Sequence, residues 1–370
     1  MNVRHLQLFI VFVFIFGALH GESEMRMRGL ENRIDTLEKN NPSSTNINAL
    51  TPCAGPRVKN GMDLFISADF IYWTMRLDTL TYAKTGHGNL SPATGSKKGE
   101  VQSVNWTWDP GFKAALGWNF CHGCWDMSVQ YTWLYTNVSD TKHSTAITPS
   151  YDILPPSLMA DEINFTRAHA HFDHHFQVGD LELGRNYYVS KALKVRPFIG
   201  LKGTWQKESY NVYYDDTNIE SLPIESYNFK TRLGQSVWGL GMRGGLNTSW
   251  QFSKYVGLYG NLAFSGIWLH YDLDRKDTFE TVEENPQIHT VVIPTFNIQD
   301  QLRLIKPVLE FGIGLRVESY FACNRYHILL QGGWESQIWI NQSLQIAKQG
   351  HYNRFDLSLH GLTAKLRFDF

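Results

Sequence analysis

Cys121-His122-Gly123-Cys124 is the tightest grouping of reactive side chains in the chain. Two thiols two residues apart can hold zinc or cycle between dithiol and disulfide. A structural zinc site needs four ligands, and no second C-x-x-C follows. The remaining cysteines, Cys53 and Cys323, stand alone. An even number of cysteines in an exported chain favours disulfides, within the chain or to other envelope proteins, and four cysteines leave three pairings open. A second cluster is His169, His171, Asp173, His174 and His175. In an extended strand, His169, His171 and His175 share one face if no bulge intervenes. Imidazoles on one face can bind a metal, but a solvated rim is the plainer reading, and neither metal nor cofactor is expected. Asp215 and Asp216 offer paired carboxylates, yet no motif joins them to a histidine. No nucleophile elbow, glycine-rich phosphate loop or HExxH is present, so no catalytic residues are expected.

The elements that would carry these groups are strands. From Met62 onward the hydrophobic period is two, over ten long segments. In 62–76, Leu64, Ile66, Ala68, Phe70 and Tyr72 share a face; the last, 353–370, runs through Leu362, Ala364 and Leu366 to Phe368 and Phe370. Opposite faces hold the candidate lining charges Asp69, Lys113, Arg196, Lys202, Arg243, Glu310, Arg316, Lys365 and Arg367, with Asp126, Asp180, Glu182 and Glu335 on the same faces. Segments of 13 to 24 residues exceed the ~5–6 of soluble sandwich strands and suffice for the ~9–11 a membrane crossing needs. Apolar-out and polar-in at that length predicts a transmembrane β-barrel. The face changes near Gly179, which suggests a bulge. Trp73, Trp106, Trp108, Trp133, Tyr135, Trp205, Trp238, Trp250 and Trp268 lie toward segment ends and are expected to form aromatic girdles.

The connections alternate in length. Long ones fall at 77–108, 138–164, 214–228, 273–297 and 342–352, short ones at 122–123, 189–193, 253–254 and 319–325. Barrels place short turns in the periplasm and long loops outside. Ten strands return the C-terminus to the periplasm; a hairpin hidden in 77–108 or 138–164 would make twelve. All four cysteines then lie on the periplasmic side.

Upstream, Arg4 and the apolar run Leu6 to Phe16 predict a signal peptide over residues 1–21. Residues 22–41 read as a short periplasmic helix, with Met27, Leu30, Ile34 and Leu37 at heptad-like spacing, and so a candidate trimeric coiled coil. Residues 42–61 are a linker, and 62–370 the barrel. Net charge is −1 and no basic patch stands out, which excludes nucleic acid as a partner class.

The block Asp180-Leu-Glu-Leu-Gly-Arg-Asn-Tyr-Tyr-Val-Ser-Lys191, continuing from Arg196-Pro-Phe-Ile-Gly to Trp205, resembles the major-outer-membrane-protein-like, pore-forming proteins of Legionella and chlamydia-related bacteria. Phe65-Ile-Ser-Ala-Asp69-Phe-Ile-Tyr-Trp73 and Pro110-Gly-Phe-Lys113 are similar to that family too. The likeness runs from Cys53 to Phe370 and carries no catalytic residues. It implies a pore, a disulfide-linked envelope, and a terminal signal at Phe368 and Phe370 read by the barrel assembly machinery. The leading expectation is a porin for small hydrophilic solutes, its nine inward charges lining the lumen. The rival is a closed structural or adhesive barrel that displays its loops, because barrels of about eight strands are filled by side chains. A surface protease resembling the ten-stranded omptins is the third alternative.

Overall fold

The structure is a computed structural model. It describes residues 53–370 except 57, 60, 78–79, 86–98, 121–123, 151–164, 218–225, 254 and 285–287. The expected signal peptide and helix, most of the linker, and Cys121 lie outside the described residues.

The strands in chain order are β1 (Leu64–Leu77), β2 (Thr81–Thr85), β3 (Glu100–Ser103), β4 (Trp108–Asn119), β5 (Trp125–Pro149), β6 (Phe165–Arg185) and β7 (Tyr187–Tyr188). They continue as β8 (Leu193–Thr217), β9 (Ser226–Gln251), β10 (Val256–Glu284), β11 (Ile288–Phe321), β12 (Tyr326–Ile346) and β13 (Tyr352–Asp369). Ten of them close into an antiparallel barrel in the order β5-β4-β1-β13-β12-β11-β10-β9-β8-β6, with β6 returning to β5. Closure pairs the wall's backbone donors and acceptors within lipid, where water cannot. The β2–β3 hairpin does lie within 77–108, but β2 pairs only with the outer end of β5 and adds nothing to the wall.

Alternation sets the two faces. On β1, Ile66, Phe70 and Tyr72 point outward and are exposed, whereas Ser67, Asp69, Ile71 and Trp73 point inward and are buried. The short turns are made by hydroxyl side chains: Ser190 Oγ accepts from the Leu193 amide at 3.1 Å, and Ser253 Oγ from the Val256 amide at 3.2 Å.

Two expectations change. Much of the expected long loops is strand: β5 reaches Pro149, β10 reaches Glu284 and β11 begins at Ile288. At 29 and 34 residues, β10 and β11 far exceed a crossing length and continue beyond the bilayer. No bulge occurs at Gly179, which pairs in unbroken register with Tyr131 and Gly203. Phe172, Phe176 and Val178 of β6 face inward, and Leu181 and Leu183 face out. The strand keeps its period while the apolar side switches, because interior and exterior are apolar at different heights.

Cys53 bonds Cys124, with Cα atoms 5.5 Å apart; Cys323 is free and exposed. Beyond the bond, the Ala54 amide donates to Asn186 O at 3.4 Å and the Lys59 amide to Asn324 O at 2.8 Å. This segment therefore runs from the β6–β8 turn to the β11–β12 turn across the periplasmic mouth. Cys124→Ser is expected to leave barrel assembly intact while exposing residues 53–61 to proteases. Limited proteolysis with mass mapping checks this; equal protection of both proteins would refute it.

Candidate functional site

Eight of the nine predicted inward charges, Lys202 apart, line one cavity of about 240 Å³ in the periplasmic half of the lumen. It reaches the mouth at Ala54, Pro56 and Asn186. Opposite charges meet across it. Lys113 is ion-paired with Glu335. Arg196 meets Asp126 at 2.5 Å and Glu182 at 2.8 Å. Lys202 lies 2.8 Å from Asp180 and 2.9 Å from Glu310. Arg243 reaches Glu310 at 2.8 Å, Asp180 at 3.7 Å, and Glu182. Near the mouth, Arg316 pairs with Glu318 at 2.5 Å and Arg367 with Asp369 at 2.5 Å; deeper, level with Lys113, Lys365 lies 3.6 Å from Asp69. Buried charges are costly unless paired in this way. Alternation places Asp126, Asp180, Glu182 and Glu335 on the inward faces without making them lining candidates; Glu318 and Asp369 share that parity and are not among the expected residues, and no local period gives the pairing of any of the six.

Above this vestibule the interior turns apolar, against the polar lining expected along the whole lumen. Ile71, Trp73, Phe176, Ile267, Leu269 and Trp339 have no solvent access. Phe176 meets Trp339 edge-on at 5.5 Å. Lys113 and Lys202 sit below the rings of Trp73 and Trp339, at 4.7 and 5.9 Å from their centroids. Trp73 fits because β13 places Gly361 beside it: a Cβ there would lie 2.3 Å from Tyr72 O and 2.9 Å from the indole.

Two further pieces fill the outer half. The β2–β3 hairpin contributes Leu80, Tyr82, Ala83 and Val104 to the buried cluster, and Tyr214 of β8 donates a hydrogen bond to Tyr82 O. Burial, then the neighbouring Asp140 charge, push the Tyr82 hydroxyl up to about 12, so it stays neutral at physiological pH. The other piece is the outer end of β12. After a register shift between Trp339 and Ser343, this strand parts from β11 and turns into the lumen together with the start of β13, residues 343–346 staying paired with 352–355. Gln342 Nε2 donates to Gln206 Oε1 at 3.2 Å, Ser343 Oγ to Glu208 Oε1 at 2.8 Å, and the Leu344 amide to Gln235 Oε1 at 2.7 Å.

With a ten-stranded closed wall, an apolar belt and periplasmic turns in place, one comparison is decisive. The sequence profile of the Legionella pneumophila major outer membrane protein precursor matches residues 54–370. The chain belongs to that family.

As a member of the Legionella major outer membrane protein family, it resides in the outer membrane and crosses it with strands. No curated protein matches the chain. Among solved structures, the outer membrane protease OmpT from Escherichia coli is 12% identical, with a TM-score of 0.34, covering 85% of this chain and 100% of its own. The CymD monoaromatic hydrocarbon channel is 8% identical, with a TM-score of 0.28, covering 84% and 89%. The Pseudomonas putida toluene transporter TodX is 9% identical, with a TM-score of 0.27, covering 84% and 90%. Similarity this low carries no functional argument.

The histidines divide between two environments. His169 and His171 face outward beside Thr141 and Ser139, whose hydroxyls lie 2.7 and 2.8 Å from their Nδ1 atoms. His175 faces out and packs on Tyr135, centroids 4.4 Å apart, while His174 points inward, 3.6 Å from Glu208. Among the described residues no group of three ligating side chains converges on a metal-sized site. Asp215 pairs with Arg167 at 3.3 Å.

Trp108, Trp205, Trp238, Trp250 and Trp268 are exposed on the outer face as a girdle requires. Trp73 and Trp106 are not girdle residues: Trp73 fills the lumen, and Trp106 packs edge-on against inward Phe172 at 5.3 Å. At the periplasmic rim, Phe368 stacks on Tyr326 at 5.5 Å and on Phe370 at 5.9 Å.

Proposed function

We propose that this outer-membrane protein is a structural envelope barrel, shut in the conformation described, in which any solute passage depends on displacing its apolar plug. The observation that supports this is the layer of Trp73, Phe176, Ile267, Leu269 and Trp339, fully inaccessible and directly above the charged vestibule. A hydrated ion entering from the periplasm would meet that layer and exchange most of its water for aromatic and aliphatic surface. Paired acids and bases give the vestibule walls little free charge with which to select ions. The reading includes no catalysis: Asp215 has an arginine for its neighbour rather than a histidine.

Purified protein in planar bilayers is expected to be silent at neutral pH; steady single-channel steps from unmodified protein would overturn the reading. The alternative, an open porin, is favoured by one observation, the collection of eight predicted pore-lining charges around one cavity of about 240 Å³. It predicts that Arg316→Glu shifts cation-to-anion selectivity. Arg316 is the better probe of that reading than Lys202, because its side chain is 16% exposed near the mouth against 1% for Lys202.

A further inference from the structure

The outer end of β12 has the sequence of a wall strand but is paired on one side only, with β13 and not with β11. Ile338, Ile340, Leu344 and Ile346 alternate with Trp339, Asn341, Ser343 and Gln345, and only Gln342 breaks the pattern. Such alternation belongs to a strand with lipid or solvent on one side and the lumen on the other. The structure obeys it as far as Trp339. Asn341 then takes a left-handed backbone with φ of 53°, and its amide donates to Asp356 Oδ1 at 2.6 Å. Asparagine is among the residues that tolerate this conformation best. Residues 342–346 turn into the lumen, where Leu344 and Ile346 are buried, and residues 352–355 of β13 turn with them as their ladder partners.

The neighbouring strand is left incomplete. The β11–β12 ladder stops at Val308 opposite Trp339, while β11 continues outward along β10 to Ile288. Among the described residues, Ile288–Pro307 has no ladder on its second edge. An unpaired edge of this kind is a template for another strand. Inside the lumen, the tongue is received by buried polar groups: Gln206, Glu208 and Gln235, with Arg275 donating to Ile346 O at 2.8 Å. Buried polar side chains weaken such a core, and selecting between alternative packings is one attested reason to keep them.

We infer that the outer end of the β12–β13 hairpin, residues 342–355, is a two-state gate, folded into the lumen in the closed barrel and able to swing about Asn341 and Asp356 to extend the β11–β12 ladder. Continuing the present register places Ser343 opposite Leu304 and Leu344 opposite Arg303. The swing keeps the β12–β13 ladder and exchanges the hydrogen bonds made across the lumen for bonds to the free β11 edge. It withdraws two apolar side chains from the plug and leaves Gln206, Glu208 and Gln235 facing water. The inference rests on the shut reading of the lumen, and the gate is tested separately from it.

Disulfide trapping in full-length protein carrying Cys121→Ser and Cys323→Ser separates the two states. Glu208→Cys/Ser343→Cys should lock the tongue inside, and Leu304→Cys/Ser343→Cys should lock it in the wall. Each is reconstituted, oxidised, mapped by mass spectrometry and recorded in bilayers before and after reduction. Both bonds are expected to form, the first silencing conductance and the second sustaining it until reduced. Failure of the second bond to form in assembled protein, or a second trapped form as silent as the first, would overturn the gate. If unmodified protein conducts at rest, the shut reading falls, but the gate still requires the first bond to silence it. Should a double variant not assemble, nitroxides at Leu344→Cys and Ser236→Cys read the same motion as two distance populations; a single population would sink it.

Discussion

Replacing Lys202 by glutamate is expected to abolish barrel assembly. The ammonium group sits between Asp180 at 2.8 Å and Glu310 at 2.9 Å, and the side chain is 1% exposed. Glutamate there would gather three carboxylates around one point, with Arg243 the nearest offset. Removing one partner of a buried pair costs about 3–5 kcal/mol, and reversing its sign costs more. Heat-modifiability on gels and the urea midpoint of refolding into vesicles would measure the effect. Lys202→Met should lose about 3–5 kcal/mol, and Glu310→Gln in the same chain should restore part of it by removing the carboxylate left unpaired. Arg316→Glu, near the mouth, should assemble. A Lys202→Glu protein with a normal midpoint would mean that Lys202 lines an aqueous lumen, which would also undo the shut reading.

Trp339→Ala is expected to destabilise the barrel by about 3–5 kcal/mol, the usual range for deleting a buried aromatic ring. Trp339 has no solvent access, meets Phe176 edge-on and roofs Lys202. The loss should appear as a lower urea midpoint without channel activity, because Trp73, Ile267 and Leu269 still close the layer. Conductance steps in this variant would show that a single indole forms the seal and would displace the tongue as the principal closure.

The ten crossing strands, their inward charges and the short turns were legible because each rests on local periodicity. A strand in lipid must show apolar groups outside, and the side-chain period of two then dictates which residues face the lumen. Asp69, Lys113 and Lys202 could therefore be placed inward from spacing alone. The bulge expected at Gly179 shows where that logic stops: Val178 and Leu181 are both apolar, but one faces a packed interior and the other lipid. Alternation tells sides apart without telling what lies on each side. Trp73 and Trp106 were placed in the girdle for the same reason, since a tryptophan near a strand end reads alike whether its ring meets headgroups or a plug.

What the sequence determined by itself was membership in the outer-membrane barrels, about ten crossing strands and the inward side of the charged residues, all consequences of the bilayer acting on neighbouring residues. Only the tertiary structure decided the Cys53–Cys124 pairing, the partner of each buried charge, the apolar plug and the inward turn of β12 at Asn341. These depend on strands far apart in the chain meeting across the lumen, and no local period records which side chains converge there.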